Sequence, residues 1–135
     1  AVRDLVRGRL LEGESKLLRD VNIRSLALVC AYLGINAHLE VVSEMNLALP
    51  EINDPGRWAL EISSVLGANE YLNPPGGREL FDVAAFAARG IRIAFADMPE
   101  FSYDCQPYQY IPNLSILDVL MWNEPARVRE YLCRI

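Results

Sequence analysis

The stretch that decides the fold is Leu66-Gly-Ala-Asn-Glu-Tyr-Leu-Asn-Pro-Pro-Gly-Gly-Arg78. It predicts, in order, a helix that ends at Gly67, a short strand over Glu70–Asn73 and a glycine-rich loop. Open α/β sheets bind their ligands at the carboxyl ends of strands, and this loop directly follows a strand. We therefore expect the loop to lie at the edge of the sheet where a ligand would bind.

The same order of helix, glycine and strand occurs upstream of this stretch. The apolar residues between Asn22 and Leu33 leave little polar surface, so a well-buried helix is predicted there, ended by Gly34. A strand over Ala37–Val42 is expected to follow.

A helix is also predicted immediately before Gly67. It opens near Asp54, because Pro55 suits the first turn, where its missing N–H would be unpaired anyway. The side chains expected to form its buried stripe are Trp58, Ile62, Val65 and Leu66.

The order repeats once more downstream, as a helix over about Leu80–Arg89, a stop at Gly90 and a strand over Ile91–Ala96. Alternating helices and strands with connections of this length favour parallel strands and right-handed crossovers. We predict an α/β fold with a small, open, mainly parallel sheet flanked by helices in Rossmann-like layering.

Both ends of the chain are predicted to be helical. Apolar residues from Val2 to Val21 recur at helical spacing and indicate an amphipathic helix that is interrupted or ends near Gly13. After Asp97, a connection rich in proline and aromatic residues predicts an ordered loop over the sheet. Two short C-terminal helices are expected at about Leu114–Trp122 and Pro125–Cys133.

Composition narrows the class of protein. The 135 residues, 52% hydrophobic, predict a single domain over residues 1–135. A net charge of -5 would repel a phosphate backbone, so we expect no nucleic-acid partner. The longest apolar stretch, Leu26 to Leu33, is far below the roughly 20 residues that span a bilayer, and no membrane insertion is expected. Cys30, Cys105 and Cys133 fit reduced thiols in a cytoplasmic protein.

The glycine-rich loop offers the first candidate binding residues. Gly76 and Gly77 would let backbone N–H groups converge on an anionic or hydroxylated group, and Arg78 would add a charged fork. Asn73, at the end of the strand, would line the same site. The motif matches no dinucleotide or P-loop fingerprint, and a tight turn without a ligand explains the glycines equally well.

Asp82 follows this loop at the start of the next predicted helix. An N-cap, or a favourable charge in the first turn, is the simplest function of a carboxylate at that position. The alternative is that Asp82 and Arg78 face one pocket and hold the hydroxyl groups of a substrate.

Ser115 and Asp118 form the second candidate pair. Their spacing fits a capping box, in which each side chain bonds the backbone N–H of the other residue. If the helix begins at Asn113 instead, both lie on one apolar face, where a partly buried carboxylate would need a partner and a role in the pocket becomes plausible.

Other reactive residues are isolated in the sequence. His38, the single histidine, lies in a predicted strand and reads as a surface or packing residue. No spacing indicates a catalytic triad or metal ligands, and no cofactor is expected. The aromatic side chains that could stack on a sugar or base, or instead fix the loop to the core, are Tyr103, Tyr108, Tyr110 and Trp122.

The order and spacing of several blocks resemble the C-terminal half of WbqC-like proteins. These blocks are Leu66–Arg78, Phe86, Gly90-Ile91, Ile111–Leu120, and Pro125 after Asn123, within about Asn22 to Leu132. The resemblance implies a bacterial cytoplasmic protein of O-antigen or other surface-polysaccharide biosynthesis, with transfer of glycine to a sugar as the proposed activity. Family members also carry an N-terminal half with His-Gln and Pro-Trp segments, and we expect this upstream half to be missing here.

Two functions remain open from the sequence. The first is a transferase, or part of one, that binds a sugar or sugar nucleotide through the candidate residues Asn73, Gly76, Gly77, Arg78, Asp82, Ser115 and Asp118. The second is a noncatalytic ligand-binding or protein-interaction domain whose glycine loop is architectural. An uncovered apolar face on the first helix would also allow a homodimer.

Overall fold

The computed structural model describes residues 2–7, 15, 17–97 and 99–134. They divide into two compact units. The helical unit comprises Ala1–Val41 and Glu100–Ile135, and the strand unit comprises Val42–Pro99. Whether the two units together form the single domain that the sequence predicts is not decided by this division, and the single domain stays a prediction.

The strand unit contains α3 (Pro55–Val65), β1 (Glu70–Asn73), α4 (Val83–Ala88) and β2 (Arg92–Phe95), and the described residues of the chain thus show one two-stranded sheet. The strands are parallel, and the register pairs Glu70 with Arg92 and Asn73 with Phe95. The predicted strand at Glu70–Asn73 is confirmed, and the predicted parallel α/β arrangement is confirmed on this small scale.

The start of α3 follows the sequence signals. The Asp54 carboxylate accepts a hydrogen bond of 2.9 Å from the Gly56 N–H, and Pro55 occupies the first turn. This confirms the predicted N-terminus. The helix ends before Gly67, whose φ of 67° lies in the left-handed region that glycine adopts at low cost.

The core of the strand unit is built on Leu60, Phe86 and Ile91, with Tyr71 and Phe81 packed against it. The predicted buried stripe of α3 is wrong for Trp58, Val65 and Leu66, which are 45–48% exposed, while Ile62 is half-buried. The face of α3 that is buried instead presents Gly56, Leu60, Glu61 and Ser63. This face is buried because it packs against Phe86 and Ile91. The spacing of apolar residues within α3 cannot predict which face meets those residues.

Gly56 allows the closest backbone approach in this unit. A Cβ atom at this position would lie 1.8 Å from the carbonyl oxygen of Leu80. Leu80 closes a short 3-10 turn, Arg78–Leu80, which takes the place of the first part of the predicted Leu80–Arg89 helix. The regular helix α4 begins after Asp82, so the first turn of α3 and the end of the glycine-rich loop pack backbone to backbone.

The helical unit contains α1 (Val2–Leu5), α2 (Leu18–Leu33), α5 (Ile116–Trp122) and α6 (Pro125–Leu132). Its core cluster consists of Val2, Leu33, Leu120 and Val128. The two predicted C-terminal helices are confirmed with slightly shorter bounds. The predicted course of the first helix between Arg7 and Ser15 lies outside the described residues.

Helix α2 ends at Gly34 as predicted, with φ of 66°. Its expected deep burial is wrong, since Leu33 is its buried residue and Leu26 is 56% exposed. The helix packs mainly along α6, which covers part of its circumference. Within the described part of the chain, no helix is both long and apolar enough to cross a membrane.

The strand predicted over Ala37–Val42 is also wrong. Residues 37–41 have no regular structure, and a 3-10 turn follows at Val42–Glu44. A strand requires a hydrogen-bonded neighbour, and the sheet of the described residues pairs β1 with β2 alone. Alternating apolar residues are therefore not enough to form a strand in this segment.

Candidate functional site

A cavity of about 440 Å³ lies in the helical unit, between the connection that follows residue 100 and helix α5. Its volume is within the range of about 300–1,000 Å³ that is typical of small-molecule sites. We call it the aromatic cavity. It is lined by Tyr103, Cys105, Tyr108, Gln109, Tyr110, Ile111, Leu114, Asp118, Met121 and Trp122.

Helix α5 presents one face to the cavity. The Ser115 hydroxyl caps the helix by accepting a hydrogen bond of 3.1 Å from the Leu117 N–H. From that start, helical spacing places Asp118, Met121 and Trp122 on neighbouring positions of one side. The cap therefore sets the rotation that presents the carboxylate to the cavity.

Asp118 and Tyr103 form the polar centre of the cavity. The Tyr103 hydroxyl donates a short hydrogen bond to the Asp118 Oδ2. This bond, together with partial burial, raises the pKa of Tyr103 from 10.0 to about 12. At neutral pH the phenol is therefore protonated and acts as the donor to Asp118.

The predicted capping box is wrong, because the Ser115 hydroxyl accepts from the Leu117 N–H and not from the Asp118 N–H. Ser115 is the cap, as expected, while the Asp118 side chain accepts from Tyr103 across 15 positions of sequence. The alternative expectation, that a partly buried carboxylate here would need a partner, describes Asp118 correctly.

The aromatic rings are held in fixed mutual orientations. The Tyr103 and Tyr110 rings meet edge to face with centroids 5.2 Å apart, and Tyr108 meets Trp122 at 6.0 Å. The Tyr110 hydroxyl donates to the Phe101 carbonyl oxygen at 3.2 Å. These contacts confirm that the loop is ordered, because each ring contacts a neighbour from the loop or from α5, while its predicted position over the sheet stays a prediction.

Several walls of the cavity remain open to solvent. Tyr108 is 71% exposed, Met121 62% and Ile111 55%. Large apolar side chains that are exposed together on a protein surface often mark a binding site. By contrast, Cys105 is buried as a free thiol, and its Sγ lies 3.5 Å from the Tyr108 carbonyl oxygen.

The glycine loop, defined here as Asn73–Asp82, lies in the strand unit at the carboxyl ends of β1 and β2. The Asn73 amide donates to the carbonyl oxygens of Pro74 and Gly76, at 2.8 and 3.3 Å. Its side-chain oxygen accepts from the Tyr71 hydroxyl at 3.0 Å. The polar groups of Asn73 therefore hold the loop in shape.

Arg78 and Asp82 complete the glycine loop. The Arg78 guanidinium carbon lies 4.4 Å from the centroid of the Phe95 ring, at the end of β2. Asp82 caps α4 by accepting a 3.1 Å hydrogen bond from the Ala85 N–H, which confirms its predicted structural role. Gly77, with φ of 75°, provides the left-handed turn before Arg78.

The predicted binding residues thus fall in two groups. The strand unit holds Asn73, Gly76, Gly77, Arg78 and Asp82, and the helical unit holds Ser115 and Asp118. The expectation that all of them line one site stays a prediction.

A separate charged cluster joins α3 to the end of α4. Glu61 is only 4% exposed and receives two hydrogen bonds from Arg89, at 2.8 and 2.9 Å, and one from Arg57 at 3.1 Å. The bonds from Arg89 contribute most to lowering the pKa of Glu61, and Arg57 adds to the effect. Arg57 and Arg89 also line a second cavity, of about 450 Å³, but their guanidinium groups are engaged by Glu61.

His38 lies at the surface, as one of its predicted readings has it. Its Nε2 is 3.4 Å from the Glu40 carboxylate, and its side chain is 86% exposed. Among the residues that the structure describes, no group of three or more histidine, cysteine or acidic side chains is placed to hold a metal ion.

Comparison with known proteins identifies the class. The family model described as the WbqC-like protein family matches residues 1–130. The chain belongs to this family, as the resemblance of its sequence blocks predicted.

A curated relative is the uncharacterized protein Rv1507c of Mycobacterium tuberculosis (strain ATCC 25618 / H37Rv). The two are 29% identical over 127 residues, which is 92% of this chain and 53% of that protein. The chain thus spans about half the length of this relative. No solved structure is significantly similar to the chain.

Sequence reasoning missed the aromatic cavity as a unit, although it singled out most of its aromatic residues. Tyr103, Tyr108 and Tyr110 are separated by five and then two positions, and Asp118 on α5 follows Tyr110 by eight positions. One signal was present, because Asp118 and Trp122 are spaced by one helical turn and thus share a face. The contact of that face with Tyr103 is a tertiary property.

Proposed function

We propose that this chain binds a sugar or sugar nucleotide as part of a transferase of bacterial surface-polysaccharide (O-antigen) biosynthesis. Transfer of an aminoacyl group such as glycine to the sugar is the reaction that the family resemblance implies. The observation that carries the proposal is the aromatic cavity, with its exposed ring walls and the Tyr103–Asp118 pair at its centre.

Aromatic walls suit a sugar because a pyranose ring has apolar C–H faces and a polar hydroxyl edge. Tyr108 and Trp122 are large, partly exposed surfaces on which the apolar face would lie. The hydroxyl edge needs directed hydrogen-bonding partners, and Asp118 and the Gln109 amide in the lining provide them. The match lies in this combination of apolar area and a few polar groups.

The glycine loop of the strand unit offers a separate contact for an anionic group such as a phosphate. The Arg78 guanidinium lies over the Phe95 ring, 4.4 Å from its centroid, and its N–H groups would donate to a phosphate oxygen. The side chains of Asn73 and Asp82 would support the loop by their internal bonds, and Gly76 would offer an uncrowded backbone.

The Rossmann-like layering and the cytoplasmic location also belong to this proposal. The parallel pairing of β1 and β2, with the glycine loop at their carboxyl ends, supports the layering. Free thiols at Cys30, Cys105 and Cys133 agree with a reducing compartment.

The proposal is tested by titrating the purified chain with glucose, UDP-glucose and UDP in a calorimeter. Tyr108→Ala removes an exposed wall of the cavity, and Trp58→Ala, which is 47% exposed in the strand unit, is the matched control. We expect Tyr108→Ala to weaken sugar binding about tenfold, since a central aromatic contact is worth at least about 1.4 kcal/mol. Equal affinities for both variants would exclude the cavity as the sugar site.

A further inference from the structure

We infer that the aromatic cavity selects a ligand with a protonated amine, which makes an amino sugar the preferred substrate class. This inference rests on the proposed function and names the ligand of the same site. It is carried by the charges of the lining, the ring faces and the unused oxygen of Asp118.

The first argument is the charge of the lining. Of the residues that line the cavity, Asp118 carries a formal charge, and the rest are aromatic, apolar or uncharged polar side chains. The Glu100 carboxylate lies outside this lining, 3.4 Å from the Tyr110 hydroxyl. Arg127 is directed elsewhere, because its guanidinium lies over Phe101 and bonds the Asn123 side chain.

This charge favours cations and opposes anions. An ammonium group would be attracted to Asp118, while a phosphate or a uronic-acid carboxylate would be repelled by it. The cavity is therefore suited to the sugar portion of a ligand and is unsuited to its phosphates.

The second argument is the arrangement of the rings. A cation within about 6 Å of an aromatic face is attracted by the negative π surface, and groups of such rings are used to recognise ammonium ligands. Tyr103 and Tyr110 stand at 87° to each other, and Tyr108 and Trp122 at 65°. All four rings line the same cavity, so a small cation bound there would lie near more than one ring.

The third argument is the hydrogen bonding of Asp118. Its Oδ2 accepts from Tyr103, while Oδ1 has no hydrogen-bond partner in the described part of the chain. The Tyr103 bond occupies Oδ2 and leaves Oδ1 able to accept from a ligand. An ammonium group would donate a charge-assisted hydrogen bond to Oδ1. A neutral hydroxyl would form a weaker hydrogen bond with the same oxygen.

The inference is tested by calorimetric titration with glucosamine, N-acetylglucosamine and glucose at neutral pH. We expect glucosamine to bind the unmodified chain at least tenfold more tightly than the other two, because acetylation removes the charge of the amine. In Asp118→Asn we expect glucosamine affinity to fall to that of glucose. Glu100→Gln removes a carboxylate outside the lining and is the matched control, which should retain the preference.

The outcomes separate the two proposals. If all three sugars bind the unmodified chain equally well, the amine preference is wrong and the sugar site stands. If no sugar binds, both proposals are wrong. This comparison within the unmodified chain decides the inference even if Asp118→Asn fails to fold, which its thermal unfolding curve would reveal.

Discussion

The aromatic cavity and the glycine loop use their side chains in opposite ways. In the glycine loop, Asn73 bonds two carbonyl oxygens of the loop, and Asp82 caps the next helix. In the aromatic cavity, Tyr108 and Met121 remain largely exposed, and Asp118 has an oxygen without a partner among the described residues.

The difference shows how to separate architecture from recognition in this chain. A polar group that is satisfied internally stabilises its own loop and has little left to offer a ligand. Exposed apolar area and an incompletely bonded carboxylate both gain free energy when a ligand covers them. We therefore expect substitutions in and around the glycine loop to affect stability first, and those in the cavity to affect binding first.

The largest effect is expected for Gly56→Ala, at the contact between α3 and the end of the glycine loop. The added Cβ would lie 1.8 Å from the Leu80 carbonyl oxygen, which belongs to the backbone and cannot rotate away. We expect the free energy of unfolding to fall by about 3 kcal/mol, measured by urea denaturation.

Gly76→Ala is the control for this substitution. A Cβ at Gly76 would meet no atom within 4 Å, so we expect a change within about 0.5 kcal/mol. Similar losses in both variants would mean that the loop rearranges freely, and its architectural role would be wrong.

Asn73→Ala is expected to cost about 1–2 kcal/mol of stability, because two backbone carbonyl oxygens and the Tyr71 hydroxyl lose their partner. Chemical denaturation measures the loss, and calorimetry with glucose should show unchanged binding. A variant that retains its stability but loses sugar affinity would reverse the comparison between the two regions.

Arg78→Ala is expected to cost only about 0.5 kcal/mol of stability, the scale of an exposed cation–π contact. Its more informative readout is binding of inorganic pyrophosphate, which should weaken if the guanidinium edge serves as the anion contact. Arg92→Ala, another arginine of the strand unit, is the matched control because its guanidinium is paired with Glu70. Unchanged pyrophosphate affinity in Arg78→Ala would leave the glycine loop without a ligand role.

Tyr103→Phe is expected to have its clearest effect at high pH. The folded chain keeps the Tyr103 proton up to a pKa of about 12, whereas the ordinary value is 10.0. The stabilisation that this raised pKa provides is complete below pH 10 and is lost as the pH rises toward 12. The midpoint temperature of thermal unfolding should therefore fall more steeply over this pH interval for the unmodified chain than for Tyr103→Phe. Parallel curves would mean that Tyr103 does not donate to Asp118 in solution.

Local signals in the sequence predicted the boundaries of the strand unit well. Asp54 with Pro55, the stop at Gly67 and the cap at Asp82 each depend on backbone geometry within a few residues. The strand Glu70–Asn73 was predicted for the same reason, because its flanking turn residues restrict its length.

Contacts between distant residues were not predictable in this way. The extended segment before Val42 has strand-like residues but no pairing partner in the described sheet. The buried face of α3 is selected by Phe86, and the aromatic cavity depends on a bond between Tyr103 and Asp118. Each of these outcomes is decided by tertiary packing, which overrides local preference.

The Glu61 cluster has a consequence for how the family can vary. The Glu61 carboxylate is 4% exposed and bonded to both Arg57 and Arg89, so replacing it alone removes the acceptor that the two guanidinium groups share. Conversely, the loss of Arg89 would remove two of these hydrogen bonds and leave Arg57 as the partner of the buried carboxylate. Relatives that differ at position 61 should therefore differ at position 89 as well, and the two positions are expected to be inherited as a pair.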